Sequence, residues 1–64
     1  MRTETKRHVR NPCYRVTLIQ HGVAKTWLFS HSEKELALGY HHRFKSAGAD
    51  VTLFTRKWRE YNEG

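Results

Sequence analysis

The chain has 64 residues and a formal net charge of +6, with twelve Lys and Arg against six Asp and Glu. A chain of this length forms one domain with a thin core, which excludes a second domain and a deep catalytic cleft. The basic balance favours anionic partners, namely nucleic acid, an acidic protein surface or anionic lipid.

The amino-terminal residues 1–11 are polar, mixed in charge and aperiodic, which predicts a flexible basic arm. Mobile basic segments often follow phosphate backbones, so the arm is a candidate contact for nucleic acid or an acidic surface. The candidate contact residues are Arg2, Lys6, Arg7 and Arg10. The arm has no apolar run, so we expect no signal peptide, and no stretch of the chain approaches the length of a membrane span. Cys13 is the only cysteine, which favours a reducing, cytoplasmic location.

A β-hairpin is predicted after Pro12. Residues 13–20 and 23–29 are rich in β-branched and aromatic side chains, and His21-Gly22 between them suits a two-residue turn. On one face the predicted pairs are Leu18 with Lys25, Val16 with Trp27 and Tyr14 with Phe29. On the other they are Ile19 with Ala24, Thr17 with Thr26 and Arg15 with Leu28. The first face is more apolar, so we expect it to meet the core.

A capped helix is predicted to follow the hairpin. Ser30 with Glu33 and Ser32 with Glu35 both match a capping box, and Gly48 suits the helix end. The predicted core stripe is Leu36, Tyr40, Phe44 and Ala47, with Ala37 alongside, and the predicted solvent side is Lys34, Leu38, His42 and Lys45. Glycine within a helix costs about 1 kcal/mol relative to alanine, so Gly39 predicts a close approach to the sheet.

Residues 51–58 are the third predicted strand. We expect Val51 and Leu53 to face the helix, with Phe54, Arg56 and Trp58 on the opposite face; the alternative parity buries Phe54 and Trp58 instead. The predicted fold class is α+β: a small ββαβ domain over residues 12–58, with a three-stranded, mostly antiparallel sheet and one helix packed on one face. The first strand lies in the centre of this sheet, and residues 59–64 form a polar tail.

No pattern predicts catalysis, a cofactor or a metal site. The six carboxylates lie at the helix start, in a turn or near the chain ends, and no pair is placed to act as acid and base. The five histidines lack the spacing of zinc ligands, and His41 and His42 diverge by about 100° on a helix. We therefore expect a protein that is not an enzyme and that binds no cofactor or metal.

The sheet face opposite the helix is the predicted binding surface. Arg and aromatic side chains anchor protein interfaces, and they also suit stacking against the bases of a single-stranded nucleic acid. The predicted partner-binding residues are Arg15, Phe54, Arg56 and Trp58.

A resemblance to a known family covers roughly residues 14–56. The ββαβ order, the helix start Ser32-Glu33-Lys34-Glu35-Leu36-Ala37, Phe44 and the ending Ala47-Gly48-Ala49-Asp50-Val51-Thr52 resemble the small T7-type phage inhibitors of bacterial RNA polymerase. The resemblance implies a phage-encoded protein that binds a host enzyme and blocks it without chemistry. That family is acidic, whereas this chain is basic, and Leu53 and Thr55 replace its binding arginines. The resemblance therefore implies the fold and the style of function but no functional residue.

Three hypotheses for function follow. The first is a small phage-type accessory protein that inhibits or redirects a host protein, one with an acidic surface that handles nucleic acid. The alternative is direct binding of DNA or RNA by the same sheet face and the basic arm. The third is a structural protein that forms a homodimer through the open sheet face. None of the three needs a membrane.

Overall fold

A computed structural model describes residues 2–55. In chain order the elements are β1 (Arg2–Arg7), β2 (Pro12–Gln20), β3 (Val23–Ser30), a 3₁₀ turn (His31–Glu33), α1 (Lys34–Ser46) and β4 (Asp50–Phe54). The strands form one sheet in the order β1-β3-β2-β4, and α1 covers one face. The α+β class with a single helix is confirmed. Within the described residues, no helix is long and apolar enough to cross a membrane.

The hairpin forms in the predicted register. All six predicted cross-strand pairs of β2 and β3 are present, from Tyr14 opposite Phe29 to Ile19 opposite Ala24. His21 and Gly22 both have positive φ, 53° and 74°, which is the backbone of a type I′ turn. This turn carries the same twist as the strands that it joins, and it therefore holds the register.

The predicted orientation of the last strand, with Val51 and Leu53 facing the helix, is also confirmed. β4 pairs antiparallel with β2, so that Leu53 lies opposite Val16 and Phe54 opposite Arg15. Leu53 is only 2% exposed and belongs to the core, and Val51 packs beside it. β2 is therefore central, with β3 and β4 on either side. The predicted strand continued to residue 58, but Arg56, Trp58 and the predicted tail 59–64 lie outside the described residues.

The sequence predicted a three-stranded sheet and a flexible arm over residues 1–11. Both predictions fail at residues 2–7. These residues form β1, which pairs parallel with β3 and makes a four-stranded mixed sheet. The strand escaped prediction because it lies at an edge, and most of its side chains are exposed and polar. Residues 8–11 carry the chain from β1 to the start of β2.

Arg7 ties β1 to the rest of the domain. Its Nη1 donates hydrogen bonds to the Leu28 carbonyl oxygen at 2.7 Å and to the Glu33 carboxylate at 3.1 Å. Its Nη2 pairs with the other oxygen of Glu33, and its guanidinium lies 4.9 Å from the centre of the Phe29 ring. One side chain of β1 thus contacts β3 and the start of the helical segment.

The helical segment begins at the predicted capping box of Ser30 and Glu33. The Glu33 carboxylate accepts hydrogen bonds from the Ser30 backbone N–H at 2.9 Å and from the Ser30 hydroxyl at 3.0 Å. A single 3₁₀ turn precedes the α-helix. The chain leaves α1 through Gly48, whose φ of +81° suits the predicted helix-ending glycine.

The core stripe of α1 is rotated from the predicted one. Ala37 and His41 are the buried residues of the helix, and Leu38, assigned to the solvent side, packs against the core. Leu36 is 44% exposed and Ala47 is also exposed, so both assignments to the core are wrong. Ala37 is fully buried and faces the sheet, in the place that was expected for the side chain of Leu36.

Four aromatic rings fill the space between α1 and β3. The Trp27 ring lies 5.1 Å from Phe44 and 6.1 Å from Tyr40, and Phe29 lies 5.1 Å from Tyr40. Such tilted and edge-on contacts add roughly 1 kcal/mol each to the burial of the rings. Phe29 and, on the neighbouring strand, Val16 are completely buried.

Gly39 does not approach the sheet, contrary to prediction. It is exposed, and a Cβ built on it would have no atom within 4 Å. Nothing among the described residues therefore requires a glycine at this position.

We predict that Gly39→Ala raises the free energy of unfolding by roughly 0.5–1 kcal/mol, because alanine loses less entropy in a helix. Urea denaturation measures this change. Gly48→Ala is the matched control: it also finds open space, but φ there is +81°, so we expect destabilisation of about 1 kcal/mol. Equal changes in the free energy of unfolding for the two substitutions would contradict the conclusion that the structure requires glycine at position 48 but not at position 39.

Candidate protein-interaction surface

The face of the sheet that α1 does not cover is organised in three rows across the strands. The register places Leu28, Arg15 and Phe54 in the first row; Thr5, Thr26, Thr17 and Thr52 in the second; and Thr3, Ala24, Ile19 and Asp50 in the third. We call these residues the open face. Arg15 and Phe54, two of the predicted binding residues, are neighbours on it.

The first row combines a cation, an aromatic ring and an aliphatic side chain. The guanidinium of Arg15 lies over the ring of Phe54, 4.5 Å from its centre, which is a cation–π contact. Leu28 lies directly opposite Arg15 on the neighbouring strand. All three side chains are half-buried, so contacts within the protein restrict their positions.

The second row consists of four threonines, one from each strand. Thr5 is paired with Thr26, Thr26 with Thr17, and Thr17 with Thr52. Thr26 is only 8% exposed although no helix covers it. Threonine presents a methyl group and a hydroxyl, so this row offers packing surface together with hydrogen-bond donors and acceptors. The sequence contains the four threonines, but only the pairing with β1 completes the row.

The basic residues of the predicted arm do not act as one mobile group. They lie in different places and have different partners. Arg7 is held in its contacts with Glu33 and Phe29. Arg2 and Lys6 both pair with Glu4, at 3.2 Å and 3.6 Å, while Arg10 is exposed beyond the strand. Arg7 is therefore a structural residue, and the other three lie along one edge of the sheet and beyond its end.

The sequence predicted only a helix-capping role for Glu33. Its hydrogen bond from Arg7, followed by that from the Ser30 backbone, lowers the pKa of its carboxyl from 4.5 to about 2. The same hydrogen bond raises the pKa of Arg7. The two residues are 26 positions apart in the chain, and no local pattern signals such a pair.

A shallow groove lies on the outer side of α1. Glu35, Leu36, Gly39, Tyr40 and Arg43 line it, and its volume is about 180 Å³. Sites for drug-sized ligands usually enclose roughly 300–1,000 Å³, so the groove is too small for one. Among residues 2–55, no group of three or more His, Cys, Asp or Glu could hold a metal ion.

Comparisons with protein-family models, curated proteins and solved structures found no match to this chain. The resemblance to T7-type phage inhibitors of RNA polymerase therefore stays a prediction.

We predict that Glu33 makes stability depend on acid pH. Its pKa is lowered in the folded state, so its stabilising contribution is complete above about pH 5 and is lost as pH falls toward about 2. The stability difference between the wild type and Glu33→Gln should shrink over that range. Urea unfolding at several pH values measures it.

Glu35→Gln is the matched control, because it removes the same charge from the first turn of α1 without touching Arg7. We expect the difference between wild type and this variant to change much less with pH. A difference for Glu33→Gln that stays constant between pH 5 and 2 would contradict the role of the Arg7–Glu33 pair.

Proposed function

We propose that this protein works by binding another protein through the open face, without chemistry of its own. The observation that supports this most directly is the row of Leu28, Arg15 and Phe54, in which a guanidinium is held against an aromatic ring beside an aliphatic side chain. Arginine and aromatic anchors within a largely uncharged patch are typical of the energetic centre of protein interfaces.

The open face suits a protein better than a nucleic acid. Within residues 2–55, Arg15 is the single cation on it, and Asp50 lies at its margin. Binding to a phosphate backbone needs several cations along one track. The described cations of β1 and α1 lie elsewhere, and one ring face of Phe54 is already covered by Arg15.

The net charge favours an acidic partner. With a formal charge of +6, the protein is attracted to a negative surface, and such attraction accelerates encounter and selects among partners. In line with the resemblance, we propose that the partner is a host protein that handles nucleic acid. Occupation of its surface would inhibit or redirect it.

Affinity capture tests this proposal. Tagged protein should recover one dominant acidic protein from a nuclease-treated bacterial lysate, and the affinity for it is then measured with purified components. Arg15→Ala and Phe54→Ala should each weaken binding by about 30-fold, as expected for a hot-spot residue. Arg43→Ala, which removes a cation from the far side of the molecule, should change affinity less than about twofold.

Two results would overturn the proposal. One is recovery of proteins only when nucleic acid is present, together with a salt-dependent shift of a labelled oligonucleotide; the protein would then be a nucleic-acid binder. The other is full binding by both Arg15→Ala and Phe54→Ala, which would place the interface on another surface. Circular dichroism of each variant establishes that it is folded.

A further inference from the structure

The two edges of the sheet are built differently. Exposed strand edges invite pairing with other chains, and proteins protect them with charged side chains and bulges. β1 has both devices: its register with β3 shifts between Thr5 and Arg7, and the strand carries Arg2, Glu4 and Lys6 joined by ion pairs. The β1 edge is therefore protected against pairing.

The β4 edge has no bulge, and Asp50 at its start is the one charged residue of the strand. Its five residues pair with β2 without any register shift. After Asp50, the strand contains Val51, Thr52, Leu53 and Phe54, which are all good strand formers. Among the described residues no strand lies on its outer side, where every second residue of an edge strand directs its N–H and C=O.

A basic flank of α1 runs beside this edge. Tyr40 contacts the rings of β3, and α1 also packs against β4. Helical periodicity therefore places the side of α1 opposite Tyr40, marked by Leu38, toward β4. Lys34 and Lys45 are on that side, both exposed, and neither forms an ion pair with a described residue. They lie roughly 16 Å apart along the helix axis, about the length of a five-residue strand.

Charge decides which chain can pair with this edge. If two copies paired through their β4 strands, two molecules of formal charge +6 would come together. The lysines of both α1 flanks would then lie near the shared edge. Like charges oppose such an assembly. A chain with carboxylates on alternate residues would instead hydrogen-bond to β4 and present its acidic face to Lys34 and Lys45.

We propose that the β4 edge is a docking site for an extended acidic segment of a partner protein, which adds to the sheet as a fifth strand. Backbone hydrogen bonds would supply affinity, and the two lysines would select for acidic side chains. The site uses backbone groups on the outer edge of β4 and the flank of α1, whereas the open face uses side chains on the face of the sheet that α1 does not cover.

The test uses the purified full chain and a short synthetic peptide of alternating valine and glutamate, with a valine–lysine peptide as its counterpart. Fluorescence anisotropy measures affinity, and amide hydrogen exchange followed by NMR locates the peptide. We expect the acidic peptide to bind, the basic peptide not to bind, and alternate amides of residues 50–54 to exchange more slowly in the complex.

Charge reversal tests the role of the basic flank. Lys45→Glu should weaken binding of the acidic peptide roughly fivefold, in the range that reversal of one exposed charge allows. Arg43→Glu is matched to it, because both residues lie in the last turn of α1 and both substitutions change the net charge equally. It should weaken binding less than about twofold.

Any of the following results would overturn the proposal: no binding of the acidic peptide, equal binding of the basic peptide, equal effects of the two charge reversals, or slowed exchange at β1 instead of β4. Loss of peptide binding in Arg15→Ala, with normal exchange at residues 50–54, would place the peptide on the open face and would also count against it.

Discussion

The carboxylate of Glu33 is the point at which the elements of this domain are joined. It accepts hydrogen bonds from the backbone and hydroxyl of Ser30, and so starts the helical segment where β3 ends. It also receives the guanidinium of Arg7, which brings β1 against β3. Without the Arg7 contact, β1 would be a short polar strand held by backbone hydrogen bonds to one neighbour. A cap that local sequence explains is thus also the anchor of a distant strand.

This arrangement leaves a sheet with one covered face, one open face and two unlike edges. The aromatic rings of β3 and α1 fill the covered side, where Val16, Phe29, Ala37 and Leu53 form the buried centre. The surfaces proposed for a partner are the open face, with Arg15 and Phe54, and the edge of β4.

The distribution of charge separates these surfaces. Along β1, cations alternate with Glu4 and are partly neutralised by it, and Arg7 is committed to Glu33. Lys34 and Lys45 lie on the exposed flank of α1. The open face is largely uncharged between residues 2 and 55. A partner would therefore be attracted by the periphery of the molecule and held by apolar and aromatic contacts, which is the division of roles expected of a specific protein interface.

Local rules predicted the hairpin with its register, the capping box at Ser30 and the inward parity of Val51 and Leu53, because each depends on residues close in the chain or on alternation along one strand. They also placed Arg15 and Phe54 on one face. They failed for β1, whose polar sequence has no apolar alternation and whose position depends on Arg7 reaching a residue 26 positions away. They also misplaced the helix stripe, because the side of a helix that is buried depends on how the helix packs on the sheet: Ala37 and Leu38 contribute to the core where Leu36 was expected. The sequence alone thus determined the hairpin, the helix and β4, together with their local pairing. Only the tertiary structure decided the fourth strand, the row of threonines and the difference between the two edges. These features depend on contacts between segments that are distant in the chain, and no sequence pattern links such segments.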